Sequence, residues 1–126
     1  MTYELLAIGL GGAMGALCRY GMTQWANALV GINFPYSTLI INVLGSFAIG
    51  IVFILLVERN LLAPVWRSVL MVGFLGAFTT FSTFSLQALG LMEEGRFIGA
   101  LAYIGGSVVT CILATALGMY LARQIA

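Results

Sequence analysis

From Phe97 to Ala122 the chain carries no charged side chain. A run of that length is enough to cross the hydrocarbon layer of a bilayer with some tilt. Three further apolar segments precede it, so that the spans lie at roughly residues 4–30, 34–57, 65–92 and 97–123. Hydrophobic residues make up 62% of the chain and charged residues 7%, where a soluble domain has about a quarter charged. Such a chain cannot cover a soluble surface. The sequence predicts an all-α integral membrane protein, a single transmembrane domain over residues 1–126 with four helices and both termini on one side.

The scarcity of polar groups excludes several functions. The charged residues are five arginines and four glutamates, a net charge of +1 with no histidine. A balance that near neutrality offers no reason for nucleic acid to bind. Cys18 and Cys111 stand alone, and without histidine no site of the His or Cys-pair type can be built. Inside apolar segments the two cysteines read as small buried hydrophobes. Glu4 is the only charge before Arg19. Without a basic start, a cleavable signal peptide is not expected.

The third segment contains the most unusual stretch, Gly73 to Ser85. Gly73 and Gly76 precede Thr79, Thr80, Ser82, Thr83 and Ser85, and Phe78, Phe81 and Phe84 recur at every third residue. Glycine and threonine weaken a helix, and hydroxyls compete for its backbone bonds. Two readings follow. One is a break in the third helix near its middle, lining a path or holding an ion, since irregular backbone at membrane depth needs protein or a wet cavity around it. The other is a small-residue packing surface beside a phenylalanine stripe.

Other segments also carry isolated polar residues. Arg19 sits inside the first span, where an arginine is costly; it marks function or a vestibule, or else snorkels to the interface. Gly11 and Gly15 in the same span form a small-residue step that lets another helix approach. Thr38, Asn42 and Ser46 are spaced by four on one face of the second span. The Asn42 amide needs a partner, either another helix or a substrate. Tyr103, Ser107, Cys111 and Thr115 make a similar row along the fourth. Hydroxyls donate hydrogen bonds without fixing a strong charge, as an anion path requires, although Ser and Thr also serve helix packing.

Arg59, Arg67 and Arg123 fall on the side of the termini and Arg96 on the other. The positive-inside bias is weak, which allows insertion both ways up. Four short spans enclose little, so an oligomer is expected, and an antiparallel homodimer fits both points.

Taken together, Gly11 to Tyr20, Asn42 to Ser46 and Gly73 to Ser85 resemble the Fluc, or CrcB, family of bacterial fluoride channels over nearly the whole chain. The resemblance implies a dual-topology antiparallel homodimer in the bacterial cytoplasmic (inner) membrane, with two pores that export fluoride passively and protect against its toxicity. It implies pore walls at Phe81, Phe84, Asn42, Thr38, Thr80, Ser82, Thr83, Tyr103, Ser107 and Thr115, with Arg19 near a vestibule. It also implies a structural sodium ion (Na+) at the dimer centre, on the backbone carbonyls of Gly76 and Thr79. Cys111 departs from an all-hydroxyl row, and a thiol is a poorer donor.

The rivals are a four-helix drug–proton antiporter and a non-transporting subunit of a larger membrane complex. An antiporter needs a carboxylate within the membrane, but Glu4, Glu58, Glu93 and Glu94 all sit at span ends. An enzyme is not expected, because no nucleophile has a base beside it.

Overall fold

The computed structural model describes the whole chain, Met1–Ala126, and is entirely helical. Helix α1, Thr2–Val30, ends where Gly31 takes φ 78° and returns its N–H to the Asn27 carbonyl; only glycine adopts that backbone without strain. After Pro35 comes α2, Tyr36–Glu58, whose last turn, Ile54–Glu58, is widened to π-type winding. The third span, Val65–Glu93, is two helices. The first, α3 (residues 65–78), begins after Pro64 and is wound wide over Ser68–Leu75. The second, α4, is Ser82–Glu93. Helix α5, Phe97–Ile125, crosses in one piece. All four spans are long and apolar enough to cross a membrane, so the chain is a multi-pass membrane protein.

The helices meet through backbone rather than through large side chains. On α1, a Cβ at Gly11 would meet the Val69 carbonyl and one at Gly15 the Phe74 carbonyl; from α3, a Cβ at Gly73 would meet the Ile8 carbonyl at 2.7 Å. The second close pair, α2 against α5, is reciprocal. A Cβ at Gly50 would meet the Thr115 carbonyl and one at Gly118 the Phe47 carbonyl. In lipid there is no hydrophobic gain from joining two apolar helices, so close van der Waals approach does that work, and small residues permit it.

The ends of the spans are tied by arginine. Arg67 donates through Nε to the Leu56 carbonyl at 3.0 Å and through Nη2 to Asn60 Oδ1 at 2.8 Å, fastening the widened end of α2 to the start of α3. Arg123 grips Glu58 with two bonds of 3.1 and 2.8 Å, a fork that joins the ends of α2 and α5. Only 22 of 126 residues are buried, so most side chains lie at least partly on the outside of the chain.

The glycine contacts give a direct test. Gly15→Ala places a methyl group against the Phe74 carbonyl and forces α1 off α3, at a cost of about 1–3 kcal/mol. Gly9 has nothing within 4 Å, so Gly9→Ala is expected to leave stability unchanged or slightly raised. Unfolding of the two variants in detergent, followed by circular dichroism against heat, separates them; equal midpoints would show that the contact is not holding α1.

Candidate functional site

The break between α3 and α4 is built residue by residue. Thr79 leaves the helix with φ −82° and ψ 160°, an extended conformation, and the chain re-enters the helix at Ser82. The Thr80 backbone therefore loses its helical partners at membrane depth, where bare polar groups are costly. Asn42 on α2 supplies both. Its Oδ1 accepts the Thr80 N–H at 2.8 Å and its Nδ2 donates to the Thr80 carbonyl at 2.9 Å. Because donor meets acceptor at each end, only one orientation of the amide satisfies the pair. One hydrogen of Nδ2 is left over.

Arg19 takes the next open group: its Nε donates to the Ala77 carbonyl at 2.9 Å. That carbonyl lies in the last turn of α3, where the helix dipole favours a cation. On the other side, Thr80 Oγ1 accepts the Thr83 N–H at 3.2 Å and lies 3.4 Å from Ser82 Oγ, covering one open donor of the first turn of α4. Thr79 Oγ1 donates back to the Leu75 carbonyl at 2.9 Å. The Gly76 carbonyl lacks the donor that a continuous helix would bring from Thr80, and the Thr79 carbonyl accepts no hydrogen bond.

Two cavities flank the break. The first, of about 450 Å³, is walled by Asn42, Ser46, Thr80, Phe81, Phe84 and Ser107, with Cys111 beside them. The second, of about 490 Å³, is walled by Arg19, Thr23, Thr38, Thr80, Thr83 and Gln87. Thr80 borders both. The Phe81 and Phe84 rings lie 5.5 Å apart at 45°. Phe78, the other member of the phenylalanine stripe, borders neither cavity; it is buried and stacks on Phe74 at 6.0 Å. Ser107 Oγ is the one buried side-chain polar atom with no hydrogen-bond partner, and it stands in the wall of the first cavity.

The polar row of the fourth span divides. Ser107 and Cys111 reach the first cavity. Tyr103 is buried in the apolar cluster with Phe84, Ala88, Leu91 and Ala100, its ring 5.0 Å from that of Phe84 and its hydroxyl donating to Gln87 Oε1 at 2.9 Å. Thr115 donates to the Ser46 carbonyl at 2.9 Å, tying α5 to α2. Of the third-span hydroxyls, Thr80 borders both cavities and Thr83 the second, whereas Ser82 is exposed and borders neither. Thr38 is buried beside the second cavity. Gln87 escaped the sequence reading. Its signal was a four-residue spacing from Thr83, which puts both on one face of α4.

The chemistry of these walls is consistent. Hydroxyls and amide N–H groups donate, aromatic edges carry partial positive charge, and Arg19 supplies a full positive charge beside the second cavity. No carboxylate borders either cavity. This is a small polytopic membrane protein whose two cavities beside the broken span are lined with hydrogen-bond donors and have no carboxylate in their walls.

Residues 6–119 match a family described as "CrcB-like protein, Camphor Resistance (CrcB)". The chain belongs to the CrcB family. Its relatives include proteins named fluoride-specific ion channel FluC. That of Saccharophagus degradans is 47% identical over 95% of this chain and 90% of its own length. That of Hahella chejuensis is 47% identical over 97% of this chain and 96% of its own. That of Geobacter metallireducens is 43% identical over 96% of this chain and 98% of its own. These names describe a channel and not an enzyme.

The Asn42 pairing is testable without reference to transport. Asn42→Leu keeps the volume but strips both partners from Thr80, and each polar group left unpaired costs about 1–3 kcal/mol. Asn42→Asp keeps the acceptor for the Thr80 N–H, and once protonated its carboxyl O–H can donate in place of the amide, so its loss is expected to be the smaller at low pH. Denaturant titration in detergent at low pH measures the order. A wild-type midpoint for Asn42→Leu would show that the pairing contributes nothing to the fold.

Proposed function

We propose that the chain forms a fluoride-selective channel that lets fluoride leave the cell passively across the cytoplasmic membrane, protecting it from fluoride toxicity. The observation that carries this reading is the buried, unpartnered Ser107 hydroxyl facing a cavity walled by the Phe81 and Phe84 rings; the names of the relatives point the same way. Fluoride is small and strongly hydrated, so a path must replace its water with donors. The Ser107 and Thr80 hydroxyls and the spare Asn42 N–H provide them, and the phenylalanine edges add partial positive charge. None of these holds the ion with a full charge, and conduction requires the ion to leave. Arg19 raises the local anion concentration beside the second cavity instead.

The functional unit in this reading is an antiparallel, dual-topology homodimer with two pores. Phe81 supports it: the ring walls the first cavity yet is 77% exposed in the protomer, so that wall is open on one side until a second chain covers it. The weak arginine bias supports insertion both ways up. The bare Thr79 and Gly76 carbonyls fit a hard cation, which takes oxygen ligands. A sodium ion held there would neutralise the carbonyl dipoles where two breaks face each other. The drug–proton antiporter loses ground because neither cavity beside the break has a carboxylate in its wall. A non-transporting subunit remains the alternative outcome of the transport test.

That test is fluoride efflux from liposomes holding the purified protein, with chloride as control. Wild type is expected to release fluoride and retain chloride; no fluoride release defeats the reading. Phe81→Ile and Phe84→Ile keep bulk but lose the aromatic edge, and each is expected to cut flux at least tenfold with the protein folded. Phe78→Ile, away from both cavities, is expected to cost at most about 1.5 kcal/mol of stability and leave flux near wild type. Wild-type flux in both the Phe81 and Phe84 variants would remove the ring edges from the mechanism.

Assembly is tested separately. Reporters for each side of the membrane, fused at the C-terminus, are expected to signal on both, and exchange of sodium for a large organic cation is expected to weaken the dimer. Signal from one side only would overturn the dual topology.

A further inference from the structure

A third cavity, of about 270 Å³, lies toward the turns that join α1 to α2 and α4 to α5. Its walls include Thr23, Asn27, Asn33, Gln87, Glu94 and Arg96. Thr23 and Gln87 also wall the cavity that holds Arg19. The two spaces therefore share a boundary, and the outer one is where anything from the solvent on that side first arrives. The charges there are of opposite sign. Arg96 Nη1 donates to the Asn33 carbonyl at 2.7 Å, which fixes the guanidinium over the rim, and lies 3.5 Å from Glu94 Oε2. The pair is loose and both side chains are open to water, at 36% for Arg96 and 63% for Glu94. Such a contact contributes little to stability. Neither residue has a part in the break, in the first cavity or in the contacts between the spans.

We propose that Arg96 and Glu94 form an electrostatic collar at the outer mouth of the Arg19 cavity, which sets the rate at which anions are captured. Arg96 attracts an approaching anion, and Glu94 beside it attenuates that field. The inference rests on the channel reading above, since it assigns a capture step to the same path. The pair acts through space on ions not yet bound. Its effect is therefore confined to conditions in which capture limits flux and screening is weak. The Debye length is about 30 Å at 0.01 M salt and about 3 Å at 1 M, so ionic strength is the variable that distinguishes a field from a contact.

The experiment is fluoride efflux from phosphatidylcholine liposomes at fluoride well below saturation. It compares wild type, Glu94→Gln, Arg96→Gln and Arg96→Lys at 0.01 M and 1 M of an impermeant salt. At low salt, Glu94→Gln is expected to raise flux about two- to fivefold and Arg96→Gln to lower it by a similar factor. Arg96→Lys, which keeps the charge, is expected to stay near wild type. At 1 M salt all four are expected to converge, with fluoride still preferred over chloride. Glu94→Gln does not touch the Asn33 carbonyl, so it reports on charge even if Arg96→Gln loosens the turn. Wild-type flux for Glu94→Gln at low salt overturns the collar, as does a difference that survives at 1 M. If wild type itself passes no fluoride, the channel reading has failed and the collar falls with it.

Discussion

The two hydrogen bonds between the Asn42 side chain and the Thr80 backbone are what the interior depends on. A helix interrupted at membrane depth leaves donors and acceptors that no water satisfies. Here one side chain from a neighbouring span imitates a strand partner and takes both groups of one residue. With Thr80 held, the chain can turn out of α3 and into α4, and the space on each side of Thr80 is kept. Arg19 completes the arrangement from the opposite helix by occupying the Ala77 carbonyl. Polar side chains of the first two spans thus converge on four residues of backbone, Ala77 to Thr80.

Glycine makes that convergence possible. Asn42 reaches Thr80 only if α2 lies close to the third span, and Gly45 lies under the Thr79 side chain and the Phe78 ring. Arg19 reaches Ala77 only if α1 lies on α3, which Gly11, Gly15 and Gly73 allow. Packing and polar satisfaction are therefore coupled: the close approach sets the hydrogen-bond distances, and the hydrogen bonds keep the broken span from rearranging.

Much of this was legible in the sequence. The four spans follow from apolar length, even with Arg19 inside the first, and the glycines and hydroxyls of residues 73–85 mark where a helix gives way. What periodicity does not carry is the identity of a partner. Spacing put Asn42 on a polar face, but the group it meets is a backbone 38 residues away. Arg19 read as a vestibule charge and does border a cavity, but nothing in the spacing names the Ala77 carbonyl that its Nε meets. Tyr103, Ser107 and Thr115 share a face by arithmetic, and they part because α4 covers the first while α2 takes the hydroxyl of the last. Gln87 went unread because its four-residue spacing from Thr83 is one pair only, and a pair does not by itself separate a cavity wall from helix packing.

The small buried fraction has a consequence for how such a chain can change over time. Acyl chains do not distinguish leucine from isoleucine or valine, so whichever of the exposed positions, such as Leu10, Leu17, Ile98 and Leu113, face lipid need only be greasy. Substitution there is close to neutral, and a sequence can diverge at many such positions without altering an interior contact. The specific information is concentrated in a few sites whose chemistry has no synonym: the glycines at the crossings, Asn42, Arg19 and the hydroxyls beside the break. Drift can be fast on the outside of this molecule and nearly absent within, a division set by the solvent rather than by the fold.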